Sequence, residues 1–238
     1  MAQVVSPAVP LVLEREVRLP VEVRVASSAL ATWAVPADRV VPLLDGTGLE
    51  PYGPVPGRAL VAVGMVQYLD SDLGTYNEFV LALTATLGER TGTLIRQLPV
   101  NQAFTLEAGR SIWGFPKFMT HSTITVSPRG ATIGRLADED GDPILALRLA
   151  RGWVPVPART TELDTWSWSD GVRRSTPFTL RTSGTRVRPG GATLQISGSH
   201  PMADDLRSLA LGHAISTMHV QRLSATFHAA VAEGPDPT

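Results

Sequence analysis

The sequence predicts one domain over residues 1–238, mainly β with an α+β character, built of antiparallel strands with a few helices. Three observations carry this. Residues 11–25 alternate, with Val17, Leu19, Val21, Val23 and Val25 on one face and Arg18, Glu22 and Arg24 on the other. Residues 59–69 and 76–86 are apolar runs of strand length. Three further short runs, 121–126, 131–136 and 143–149, are separated by the turn signals SPRG and DEDGD.

The elements follow in order. Pro20 puts the first strand at an edge or a bulge. Residues 28–33 (SALATW) suit a short helical turn before Pro36, and residues 37–44 suit another. The Gly- and Pro-rich stretch DGTGLEPYGPVPGR is a string of turns. In the strand 76–86, Tyr76, Glu78, Val80, Ala82 and Thr84 share a face. The acidic run 138–142 lacks the twelve-residue loop with a closing Glu that calcium requires, so it is a hairpin turn. Trp166 and Trp168, two apart, point to one side of a strand. Residues 176–182 and 192–197 are two more strands. Residues 203–232 are the strongest helical candidate, with a break near Gly212 and with Leu206, Leu209, Ala210, Ile215, Met218, Leu223 and Phe227 on its apolar side. The tail GPDPT is a frayed end.

Composition excludes several function classes. With 43% hydrophobic and 18% charged residues, the chain is not of the disordered type. A net charge of −1 gives no bulk field for nucleic acid or anionic lipid. No stretch of 18 apolar residues exists, and the first 20 residues make a poor signal peptide. The expectation is a cytoplasmic protein with no nucleic-acid or membrane partner. There is no Cys, hence no disulfide or thiolate chemistry. GxSxG, P-loop and GxGxxG motifs are absent. His213, His219 and His228 are spaced by 6 and 9 and do not stack on a helix face as metal ligands would. No metal and no cofactor are expected.

One fact is sharper. Lys and Arg total 21, of which 20 are Arg; the single Lys is Lys117. Arg serves wherever a generic cation suffices. It cannot serve where an amine must lose its proton and attack, because guanidinium does not deprotonate. Lys117 lies in AGRSIWGFPKFMT (108–120), among Ile112, Trp113, Phe115, Pro116, Phe118 and Met119. Desolvation in such company favours the neutral amine, the form that attacks a carbonyl. Gly114 and Pro116 fix the local backbone. The competing reading is a Lys whose stem packs on aromatics while its amine reaches water.

At GRSIWGFPK (109–117) the sequence resembles the acetoacetate decarboxylase superfamily, with support from DLGTYNEF (72–79) upstream and a weaker match in ISGSHPMADDLRSLAL. The resemblance implies a conical, closed antiparallel β-barrel with flanking helices, assembled into homo-oligomers. It implies that Lys117 forms a Schiff base and that Glu78 is a pocket carboxylate handling protons or orienting substrate. Tyr76, Trp113 and Phe115 would wall the pocket, and Arg110 would be structural. The substrate-carboxylate Arg would be Arg15, with Arg18 as the alternative. Two positions depart from the family. Phe118 stands where a second Lys follows the first, which places it at the substrate, and Val63 stands, by ungapped spacing, where another carboxylate is expected. The implied activity is a lyase acting on a small oxo acid or ketone through an iminium, by decarboxylation or by aldol addition and dehydration. Superfamily members with such changes include aldolase-dehydratases for pyruvate-like acids and enzymes of natural-product pathways. The alternative is a barrel that binds a ligand, or cyclises one, without covalent chemistry.

Overall fold

The computed structural model describes residues 10–127 and 130–233. Its principal strands are β1 (Val21–Pro36), β2 (Arg58–Ser71), β3 (Tyr76–Leu87), β4 (Arg90–Val100), β5 (Lys117–Met119), β6 (His121–Val126), β7 (Thr132–Ala137), β8 (Pro143–Leu149), β9 (Arg159–Ser169), β10 (Val172–Ser183), β11 (Ala192–Ile196) and β12 (Ser216–Phe227). The helices are α1 (Ala103–Trp113) and α2 (Pro201–Ser208).

Seven strands close into a barrel in the order β12-β1-β2-β3-β4-β9-β10, with β10 pairing back to β12. Every pairing in the ring is antiparallel except the short one between β4 and β9. Closure leaves the ring without a free edge. A second antiparallel sheet, β11-β8-β7-β6, lies against the outside. Its Leu136, Leu145, Leu147 and Leu149 pack with Val61, Val63, Phe79, Leu81 and Leu83 of the barrel wall. Gly134 makes that approach possible: a Cβ there would stand 2.5 Å from Phe79 Cζ and 2.7 Å from Met65 Sδ. β2 and β3 are therefore buried on both sides, which is why their sequences read as continuous apolar runs.

The three short strands after residue 120 join β11 in the outer sheet, and the two 3₁₀ turns Ala37–Arg39 and Val41–Leu44 both fall in 37–44, where one short helical turn was expected. The 138–142 turn is a hairpin closed by Asp138, whose side chain accepts from the amides of Asp140 and Asp142. Of the turn at 127–130, Pro128 and Arg129 lie outside the described residues, as does the tail 234–238.

Three expectations are corrected. The first strand begins at Val21 and not at 11; residues 11–16 fold into a separate small hairpin, Leu11–Val12 with Arg15–Glu16. Residues 28–33 are strand, not helix: Ala29 and Ala31 are small because they face the outer sheet's core, and β1 runs unbroken through them. Region 203–232 is helical only in α2. From Ser216 it is β12, the strand that closes the ring between β1 and β10. Its β-branched Thr217, Val220 and Thr226 suit a pleated wall, and barrel closure overrides the apolar spacing that also fits a helix.

Candidate functional site

The site is assembled by β3, β4, α1 and β5. Gln102 caps α1: its side chain accepts from the Thr105 amide at 2.6 Å and donates to the Leu73 carbonyl at 2.8 Å, tying the helix to the β2–β3 turn. The helix ends at Gly114 (φ 63), with the Gly114 amide bonded to Arg110 and the Phe115 amide to Gly109. The chain then reverses through Pro116 into β5, which pairs in parallel with β4, Leu98 opposite Lys117. Val100, two residues along β4, is opposite Glu78 on β3. Adjacent strands thus bring Lys117 and Glu78 to the same end of the barrel interior.

Two motif residues hold this arrangement. Gly109 lets the Lys117 stem lie against α1, since a Cβ there would stand 2.5 Å from Lys117 Cδ and 2.6 Å from Cε. Arg110 Nε donates to the Lys117 carbonyl at 2.8 Å and pins β5 to the helix.

Lys117 is 4% exposed and Glu78 6%. Lys117 Nζ stands 2.9 Å from Glu78 Oε2, donates to Thr105 Oγ1 at 2.9 Å, and sits 5.2 Å from the centre of the Tyr76 ring. The other Glu78 oxygen accepts from the Tyr68 hydroxyl at 2.9 Å. Tyr68 and Tyr76 stack with centroids 4.2 Å apart. Burial, and next the nearby Glu78 charge, push both phenols well above their ordinary range. Both therefore remain protonated, and Tyr68 remains a donor to the carboxylate.

The pair opens onto a cavity of about 280 Å³ inside the barrel, close to the lower end of small-molecule pockets. Its far wall is aromatic and aliphatic. Trp113 stacks near Phe115 at 5.8 Å and tilts on Phe227 at 6.0 Å, while Phe227 stacks on Phe178 at 4.9 Å. A buried amine thus stands in contact with a buried carboxylate at the edge of a cavity of small-molecule size.

The structure brings Lys117, Glu78, Tyr76, Trp113 and Phe115 around this cavity. It does not bring Arg15, Arg18, Phe118 or Val63 there. Arg15 is exposed on the small hairpin, its guanidinium 4.1 Å over the Phe104 ring, and Arg18 is exposed too. Phe118 alternates to the other side of β5, packs on the outer core and stacks on His200. Val63 faces the outer sheet; the residue of β2 opposite Glu78 is Val66. Sequence reading missed Tyr68 and Thr105. Tyr68 was accessible from hairpin register, because it pairs with Tyr76 across the β2–β3 turn. Thr105 had no signal without α1. Among the described residues no group of three or more His, Cys, Asp or Glu could hold a metal ion, and no helix is long and apolar enough to cross a membrane.

The acetoacetate decarboxylase (ADC) family model matches residues 10–234, and the chain belongs to that family. No curated protein sequence matches it. Among solved structures it is similar to acetoacetate decarboxylase from Legionella pneumophila, at 17% identity and TM-score 0.70, over 97% of this chain and 93% of that one. It is also similar to the enduracididine biosynthesis enzyme MppR complexed with pyruvate, at 19% identity and TM-score 0.63, over 90% of each chain. An acetoacetate decarboxylase-like enzyme from Sphingomonas wittichii RW1 matches at 17% identity and TM-score 0.59, over 92% of this chain and 95% of that one. At these identities the structures establish the shared fold.

Proposed function

We propose that the chain is a Schiff-base-forming carbon–carbon lyase acting on a small oxo acid, with Lys117 as nucleophile and Glu78 as proton carrier. The observation that carries this reading is the buried contact of 2.9 Å between the only lysine and the only carboxylate among the described residues lining the cavity. Family membership and the pyruvate held by MppR support it.

In this reading Glu78 takes a proton from the Lys117 ammonium, and the neutral amine adds to the substrate carbonyl. Glu78 returns the proton to the departing oxygen, water leaves, and a cationic iminium remains. That cation accepts the electron pair released when the adjacent carbon loses CO₂ or a proton. Tyr68, held neutral, keeps Glu78 aimed at Nζ, and Thr105 fixes the amine's other side. General acid–base help of this kind contributes ~10²–10⁴ in rate.

The reading treats residues 1–238 as one domain built around this cavity, working in the cytoplasm. Assembly into homo-oligomers belongs to the same reading and rests on family membership. The test is borohydride reduction in the presence of a panel of oxo acids, followed by peptide mapping. A mass increase confined to Lys117, absent from Lys117→Ala, is expected. An intact, folded protein that gives no adduct with any oxo acid, larger ones included, contradicts the reading.

A further inference from the structure

A second concave site lies outside the Lys117 cavity. Four arginines, Arg24, Arg159, Arg181 and Arg222, border one cleft of about 660 Å³ formed by β1, β9, β10 and β12. All four are exposed, and no Asp or Glu lines the cleft. In a chain of net charge −1 this positive field is local and not a property of the whole surface.

Strand register explains why three of these arginines stay uncommitted. Thr160, Arg181 and Ser224 stand opposite one another across β9, β10 and β12, and Ser183 stands opposite Arg222. Two residues along each strand, Glu162, Thr179, Thr226 and Glu22 form another cross-strand row. Its carboxylates take their bonds from its own threonines: Thr179 donates to Glu162 at 3.0 Å, and Thr226 to Glu22 at 2.9 Å. At the β1 margin Asp70 and Asp72 accept from Arg24, at 2.8 and 2.6 Å. Among the described residues, Arg159, Arg181 and Arg222 are left without a carboxylate partner.

An anion from outside can meet this demand. Each guanidinium forks onto two oxygens, so three forks call for about six acceptor oxygens and about three negative charges. A lone carboxylate has too few of either; a diphosphate group has enough of both. The hydroxyls of Thr160, Thr182, Ser183 and Ser224 line the same cleft and suit further phosphate oxygens. The volume lies within the range of small-molecule pockets and leaves room for an organic group. The flanking Glu22, Glu162, Asp70 and Asp72 oppose a long polyanion or an anionic membrane, whose charges would run past the cleft onto them.

We propose that this cleft binds a small diphosphate-bearing molecule of the nucleoside diphosphate kind. Its occupant stands beside the Lys117 cavity, because Leu223 borders cleft and cavity alike. Leu223 belongs to one cross-strand row, formed in order by Arg159, Thr182, Leu223, Ala26, Tyr68 and Tyr76. That row runs from the cleft to the ring beside the Lys117 amine. Binding here does not depend on imine formation at Lys117.

The test is calorimetric titration of the full chain at about 0.15 M salt, where exposed charges are screened beyond ~8 Å. The probes are ADP, pyrophosphate, inorganic phosphate, a DNA duplex and vesicles containing phosphatidylserine. ADP and pyrophosphate are each expected to bind at one site per chain, with inorganic phosphate at least about tenfold weaker. Arg181→Ala and Arg222→Ala should each weaken ADP about tenfold, the worth of a hydrogen-bonded charge, with the thermal midpoint unchanged. Arg181→Lys keeps the charge but not the fork, and should lose nearly as much. Arg39→Ala removes an exposed arginine elsewhere and should change nothing. No saturable binding of ADP or pyrophosphate overturns the proposal. So does Arg181→Lys that binds ADP like the wild type, which marks a diffuse field, or a duplex or vesicle that binds more tightly than ADP.

Discussion

β3 presents two buried faces that do opposite work. Outward, Phe79, Leu81 and Leu83 are 0% exposed and interlock with the second sheet. Inward, Tyr76, Glu78 and Val80 border a cavity and hold the Lys117 ion pair. The outer face is filled apolar packing; the inner face leaves volume empty and buries charge. The outer sheet backs the wall with close packing, so the inner face can forgo it. Substitutions on the two faces should therefore separate stability from chemistry.

The largest effect is expected from Lys117→Met. Adduct formation should vanish. Glu78 is also left buried without its partner, a loss of ~3–5 kcal/mol for a broken buried pair. Denaturant unfolding should show that cost, and Lys117→Met with Glu78→Gln should recover much of it. If the single variant is as stable as the wild type, the pair is not buried as described.

Glu78→Gln comes next. The shape is kept and the proton carrier removed, so kcat should fall ~10²–10⁴-fold in stopped assays of CO₂ release. Unchanged kcat would remove Glu78 from the chemistry.

Phe79→Ala probes the outer face. It should cost ~3–5 kcal/mol in chemical denaturation, while the folded fraction still forms the Lys117 adduct. Loss of the adduct at full folding would show that the faces are not separable.

The smallest effect belongs to the rim, away from both faces. Burial alone would raise the Glu233 carboxyl, but hydrogen bonds from Arg90 and Arg173 outweigh it and hold the group below the ordinary carboxylate range. A lowered folded value means that this contribution is present above the unfolded value of ~4.3 and is lost as pH falls through the lowered one. Arg90 is 49% exposed, so Arg90→Ala should cost at most ~1 kcal/mol. It should move the acid-unfolding midpoint upward.

Much of this was legible in the sequence. The lone lysine and its motif pointed to the segment that borders the cavity, and strand periodicity put Tyr76 and Glu78 on one face, where they stand beside Lys117. The errors have physical causes. Residues 28–33 contain alanines that favour helix in isolation, yet Ala29 and Ala31 are small because the outer sheet presses on them. Residues 216–227 carry apolar spacing that fits a helix as well as a strand, and only the need to close a ring decides. Ungapped counting placed an acid's position at Val63; strand alternation turns that residue outward and leaves Val66 opposite Glu78. The N-terminal arginines could not be placed because the chain folds back on itself at 11–16 before the barrel begins.

In the proposed reaction the substrate carbonyl becomes an imine of Lys117. Imine formation expels the carbonyl oxygen, and hydrolysis installs one from solvent. Decarboxylation of a 3-oxo acid in water enriched in ¹⁸O tests this most directly. Each ketone released by the protein should carry solvent oxygen from the first turnover, and Lys117→Ala should release none above the uncatalysed rate. Ketone that retains its original oxygen would contradict it.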